Sequence, residues 1–130
     1  MRVMVFVKAN EQSEAGVLPS SEIIAAMTKY NEELAKAGVM LAGEGLRPSS
    51  QGARVKFEGK KRTVSDGPFA ETKECLAGFY MIEARDLNEA IQIASKIPPA
   101  HVGSVEVRPI RPIRETVRAT LQEEASHGVR

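Results

Sequence analysis

The sequence predicts an α+β domain, and three observations carry that prediction. Residues 3–7 and 76–82 are apolar at successive positions, as strands covered on both faces must be. Two segments, 21–37 and 87–97, place apolar residues at helical spacing behind a capping residue. Between them, residues 54–65 alternate polar and apolar around Gly59-Lys60, the pattern of a two-stranded hairpin. In chain order this gives strand–helix–strand, a hairpin, then strand–helix–strand. Two βαβ units of this size on one antiparallel sheet make a ferredoxin-like sandwich with helices on one face. The other face needs cover, and a second copy of the chain is the simplest cover, so a homodimer is expected.

Residues 2–8 form the first strand. Residues 9–18 are polar, contain Gly16 and read as a loop. Pro19-Ser20-Ser21-Glu22 then opens the first helix, with a serine to accept free backbone N–H groups and an acid favoured by the helix dipole. Ile23, Met27, Tyr30, Asn31 and Leu34 follow at helical spacing, and Gly38 fits a left-handed C-terminal cap. Val39-Met40-Leu41-Ala42 is a short strand ending at Gly43-Glu44-Gly45, and the hairpin after it has one wet face. Polar residues 66–74 lead into a strand over 75–82, placed beside the first. Asp86 caps the second helix with Glu89 three residues on; Ala90, Ile91, Ala94 and Ile97 form its apolar side, and Pro98-Pro99 end it. Val105 and Val107, alternating with Glu106 and Arg108, make the last strand, closed by Pro109 and Pro112. Residues 1–112 therefore read as one domain. Residues 113–130 read as a tail, with Ile113, Val117 and Leu121 striping a short helix before a frayed end.

A chain of 130 residues suffices for one apolar core and not for two. Its formal net charge of +1 supplies no field that would gather phosphate backbones or acidic lipid, so neither nucleic acid nor a membrane is an expected partner. The basic run Lys60-Lys61-Arg62 lacks the aromatic platforms of an RNA-binding sheet and reads as a solvated tip. No apolar run approaches the roughly 20 residues of a membrane span. Residues 3–7 are closed by Lys8, unlike the longer apolar stretch of a signal peptide, and a cytoplasmic protein is expected. The single Cys75 can form no internal disulfide, in keeping with a reducing compartment. Two widely separated histidines and one cysteine make no metal constellation, and Gly43-Glu44-Gly45 does not extend into a phosphate-binding loop. No metal or organic cofactor is expected.

The densest polar cluster is Asp66-Gly67-Pro68-Phe69-Ala70-Glu71-Thr72-Lys73-Glu74. It resembles, without a mismatch, the signature of the DGPF branch of the YCII-related family. The resemblance runs on through Gly43-Glu44-Gly45-Leu46, Gly78-Phe79-Tyr80 and residues 103–109, covering nearly everything but the tail. It implies a dimeric α/β barrel, two ferredoxin-like sheets packed face to face. For the wider family it implies acid–base chemistry by a His on the first helix and an Asp after the second, in dehydrochlorinase-like or other small-molecule lyases. For this branch it implies an association with extracytoplasmic-function sigma factors. The first helix here has Met27 and Tyr30 in its middle and no His, and the second runs into Ile97-Pro98, so that acid–base pair is absent.

Two readings of the signature segment stand side by side. In the structural one, Asp66 accepts backbone N–H groups of the turn, Gly67 supplies an unusual backbone angle, Pro68 stiffens it and Phe69 plugs the core. In the functional one, Asp66 or Glu71 is a general base at the rim of a pocket under the sheet. Lys73 or Arg108 then holds an anionic substrate or a developing oxyanion, and Glu44 completes the site. His101 carries the side-chain type whose ordinary pKa lies nearest neutral pH and is a candidate proton shuttle. Glu106 and Arg108 share a strand face and can pair with each other, and Cys75, with no neighbouring His, reads as an inert core thiol. Three functions stay open: a small dimeric enzyme of lyase or hydrolase type acting on a small anionic metabolite; a non-catalytic ligand-binding or regulatory module, which the resemblance links to a sigma factor; and a structural dimer partner.

Overall fold

Along the first strand Val3, Val5, Val7 and Ala9 are buried and the residues between them are not, so one period-2 pattern separates a helix-covered face from an open one. The computed structural model describes residues 1–71, 74–98 and 102–127. In chain order the elements are β1 (Arg2–Ala9), α1 (Glu11–Glu14), α2 (Ser21–Lys36), β2 (Met40–Gly45), β3 (Ala53–Glu58), β4 (Lys61–Asp66), β5 (Leu76–Glu83), α3 (Leu87–Ser95), β6 (Val102–Pro109) and α4 (Ile113–Ser126), with a 3-10 turn at Ser49–Gln51. Four strands form one antiparallel sheet in the order β2-β5-β1-β6, the ferredoxin-like arrangement expected from the sequence.

Register explains the core. Val3 lies opposite Ile82 and Val5 opposite Tyr80, so β1 and β5 present one continuous apolar layer. Leu34 of α2 and Ala90 and Ala94 of α3 close over it, with Val105 and Val107 packed at the edge. On the other face Met4 lies opposite Met81 and Phe6 opposite Phe79, and these four side chains are only half-buried. Both faces of the central strands are thus apolar, and helices cover one of them.

Local chemistry sets the helix ends. The Ser20 hydroxyl accepts the Ile23 N–H at 3.3 Å. At the other end of α2 the Val39 N–H reaches the Leu34 carbonyl at 2.9 Å and the Gly38 N–H reaches that of Ala35 at 3.1 Å, with Gly38 at φ +72°. A Cβ on Gly38 would meet nothing within 4 Å, so its cost is conformational alone. Gly38→Ala is expected to lose about 1 kcal/mol, read from the urea midpoint at unchanged slope. The Asp86 carboxylate caps α3 by accepting the Glu89 N–H at 2.8 Å. Glu89 folds back to the Arg85 N–H at 3.1 Å and its Nε at 2.6 Å, and these bonds hold its carboxyl below the usual range.

Three features differ from the sequence reading. The expected loop over residues 9–18 contains the one-turn helix α1, where Asn10 and Ser13 cap each other reciprocally at 3.0 and 2.9 Å. The second strand starts later than expected and runs on to Gly45. The hairpin was expected to have one wet face, but β3 and β4 form a separate two-stranded sheet whose every residue is exposed. Its apolar side, Val55, Phe57 and Val64, is left uncovered by its own chain. The stripe Ile113, Val117 and Leu121 does lie on a helix, α4, and no residue of that helix is buried. No helix among the described residues is long and apolar enough to cross a membrane.

Candidate functional site

Three glycines on two neighbouring strands open a space between sheet and helix. Gly43 pairs with Tyr80 and Gly45 with Gly78, which puts all three glycines on the helix-covered face, and Val7 lies beside Gly78. The region beneath α2 is a cavity of about 710 Å³, in which the Met40 side chain lies over Gly43. Met27 and Asn31 of α2 line it, as do Val17, Leu18, Pro19, Ile97 and Pro98. Leu46, Arg47, Pro48 and Gln51 line it from the segment that follows β2. Gly78 is required by packing, since a Cβ there would fall 2.8 Å from the Glu44 carbonyl oxygen. At Gly45 a Cβ would meet only the Ala77 carbonyl at 3.9 Å, so the missing side chain there is simply room.

One hydrogen-bonded pair, a buried tyrosine and a half-buried asparagine, stands at the wall of this cavity. The Tyr80 hydroxyl donates to Asn31 Oδ1 at 2.8 Å, and Tyr80 is 7% exposed. Burial pushes the Tyr80 phenol above its ordinary value, opposed in part by the Asn31 bond, so it is a neutral donor at physiological pH. Tyr30 is pushed up too, by burial and then by Tyr80 and Glu33, and its hydroxyl donates to the Ile93 carbonyl at 2.6 Å, tying α2 to α3. Two donors, the Tyr80 hydroxyl and the Asn31 amide, therefore stand side by side at the wall of a largely apolar cavity. An oxygen that gains negative charge is the chemistry such a pair serves. Neither residue was singled out from sequence, although Asn31 carried a signal: it is an amide on the apolar stripe of α2, between Met27 and Leu34.

Among the described residues, those singled out from sequence are dispersed. Glu44 is itself among the residues that line the cavity, while strand alternation from its register opposite Phe79 puts its side chain on the open sheet face. Asp66 and Glu71 are exposed and do not line the cavity. Arg108, opposite Met4 on the open face, pairs with Glu106 at 3.2 Å, the structural pairing open to it from sequence. Lys73 and His101 lie outside the described residues. Cys75 is buried, its Sγ directed to the Glu71 carbonyl at 3.6 Å. Among the described residues no group of three or more His, Cys, Asp or Glu is placed to hold a metal ion.

The signature segment acts as a clamp, and three details of its structural reading change. Gly67 does not have a positive φ; it is needed because a Cβ would overlap the Ser49 carbonyl. Phe69 is not in the core: its half-buried ring lies under the Arg54 guanidinium, 4.0 Å from carbon to centroid. No hydrogen bond to the Asp66 carboxylate occurs among the described residues, and the turn is held instead by Ser49, whose Oγ accepts the Phe69 N–H at 3.1 Å. Ser49 in turn donates through its N–H to Glu14 Oε1 at 3.1 Å and through its hydroxyl to Glu14 Oε2. Helix α1, the 3-10 turn and the signature segment are thereby joined beside Pro48 and Gln51 of the cavity lining.

Comparison with known proteins places this architecture. The sequence profile of the YCII-related domain matches residues 1–114. An uncharacterised protein of Rhizobium meliloti (strain 1021) is 38% identical over 91 residues, 68% of this chain and 70% of that one. Among solved structures, 5-chloro-2-hydroxyhydroquinone dehydrochlorinase from Burkholderia phenoliruptrix AC1100, in complex with 2,5-dihydroxybenzoquinone, superposes with a TM-score of 0.50. That likeness covers 85% of this chain and 94% of the other at 16% identity, and it speaks for the fold.

Proposed function

The chain belongs to the YCII-related family, and from that membership we propose that it is a cytoplasmic homodimer that binds and acts on a small oxygenated organic molecule in the cavity beneath α2. The observation that carries this reading is the Tyr80–Asn31 pair at the wall of a mainly apolar cavity, whose lining also includes Arg47 and Gln51. A ligand oxygen beside the pair receives a hydrogen bond from the Asn31 amide and another from the Tyr80 hydroxyl, whose proton turns from Asn31 to the ligand. A reaction that builds negative charge on that oxygen gains most from both bonds in the transition state, as a lyase-type elimination does when a base takes the proton next to the carbonyl and the leaving group then departs with the electron pair. The dehydrochlorinase with its bound quinone is a fold neighbour whose ligand is of this size and chemistry. In this assignment the exposed Asp66 and Glu71 do not contribute the reacting groups. A regulatory module associated with a sigma factor would use the same cavity for binding without turnover.

Calorimetry with a panel of hydroxylated quinones, chlorinated hydroquinones and aromatic acids tests the reading. Gly45→Leu, which puts a side chain into the cavity, is expected to abolish binding of whichever panel member binds the wild type. Tyr80→Phe is expected to weaken it about tenfold, the worth of one hydrogen bond of roughly 1.4 kcal/mol. Undiminished binding to Gly45→Leu would place the ligand elsewhere.

A further inference from the structure

Two surfaces of one chain lack cover in complementary ways. The hairpin register sets Val55 opposite Val64 and Phe57 opposite Arg62, so Val55, Phe57 and Val64 share one face, with the Arg62 guanidinium 4.5 Å from the Phe57 ring centre. That face is open, Phe57 being 69% exposed. Helix α4 carries Ile113, Val117 and Leu121 at four-residue spacing, a stripe about 12 Å long, and Ile113 is 82% exposed. A two-stranded hairpin alone and a 14-residue helix with nothing buried are each marginal in water. Both therefore call for an apolar partner.

Charge says which partner. The hairpin carries five cationic side chains, Arg54, Lys56, Lys60, Lys61 and Arg62, against Glu58 and Asp66. The last turn of α4 holds Glu123 and Glu124 and no basic residue, so its acids sit at the negative end of the helix dipole, where the helix itself disfavours them. Cations from outside the helix would relieve that. The hairpin supplies both the cations and the apolar face, yet within one chain the two surfaces leave each other exposed.

We infer that the stripe of α4 docks on the apolar face of β3–β4 in a second copy of the chain, with Glu123 and Glu124 near that copy's Lys60 and Lys61. A two-fold axis makes the exchange reciprocal, so the same contact forms twice in the dimer. This rests on the homodimer reading and adds to it an interface separate from the open sheet face and independent of the cavity.

In a Cys75→Ala background, Val64→Cys and Val117→Cys are made in separate preparations, mixed, treated with a short bis-maleimide and mapped by mass spectrometry, alongside light scattering of each. The expected product joins position 64 of one chain to position 117 of another. The charge reversals Lys61→Glu and Glu124→Lys are each expected to raise the dimer dissociation constant several-fold, and the two together to restore it. A dimer mass with no link between positions 64 and 117, and no rescue, overturns the clasp while leaving the sheet-face dimer in place. A monomer mass overturns both. A link found only within one chain, when both cysteines are on the same molecule, shows that the helix covers its own hairpin and likewise overturns the exchange.

Discussion

Gly67→Ala is expected to lower stability by about 3 kcal/mol, the upper part of the usual overpacking range, although the residue lies outside the core. The added Cβ would overlap the carbonyl of Ser49, and the obstacle is backbone, which cannot swing aside as a flexible side chain would. The signature segment must therefore withdraw from the 3-10 turn, and the Phe69 N–H loses its bond to Ser49 Oγ. Glu14, joined to Ser49 through both carboxylate oxygens, loses the other half of the clamp. Asp66→Asn is the contrast: an exposed neighbour of the same signature, expected to move stability by no more than about 0.5 kcal/mol. Urea midpoints for both variants decide it, and equal losses would mean that the Asp66 carboxylate and not the closeness of Gly67 to Ser49 makes the segment structural.

The parts of this fold that could be read in the sequence are those decided within a few residues. Ser20, Gly38 and Asp86 cap their helices because a cap needs only the next turn, and the doubly apolar runs of β1 and β5 reveal central strands because both faces of each strand are written in its own residues. What escaped was set by register and by long-range contact. The cavity floor joins Gly43 and Gly45 to Gly78 across two strands, and Asn31 meets Tyr80 49 positions away. The clustered charges of residues 66–74 drew attention because charge stands out in a sequence, whereas Gly67 is explained only by Ser49, which no local pattern pairs with it. Helix α1 was missed because a single turn is too short to show periodicity and its cap uses Ser13 in place of the usual Glu or Gln. Glu44 shows the same limit in reverse: its Gly-flanked position lines the cavity, but a one-residue alternation puts its carboxylate on the other face.

Phe6→Asp is expected to turn a dimer into a folded monomer. Phe6 lies opposite Phe79 on one neighbouring strand and Glu106 on the other, in the middle of the open sheet face with Met4 and Met81. In a single chain that position is partly open to solvent, so an aspartate there stays hydrated and the helix-covered core is untouched. Between two sheets packed face to face it would be a buried, unpaired charge next to a second carboxylate, a penalty of about 3–5 kcal/mol at each of two related positions. Even one such penalty raises the dissociation constant by roughly two to four powers of ten. Light scattering at micromolar concentration should therefore report twice the 14.1 kDa chain mass for the wild type and a single chain mass for the variant, with the far-ultraviolet dichroism of the two alike. Val5→Asp, one residue away and 0% exposed beneath the helices, should instead unfold the chain, because its charge is buried with or without a partner. A Phe6→Asp protein that keeps the dimer mass would remove the open face from the interface, and one that unfolds as Val5→Asp does would show that this face belongs to the fold of a single chain.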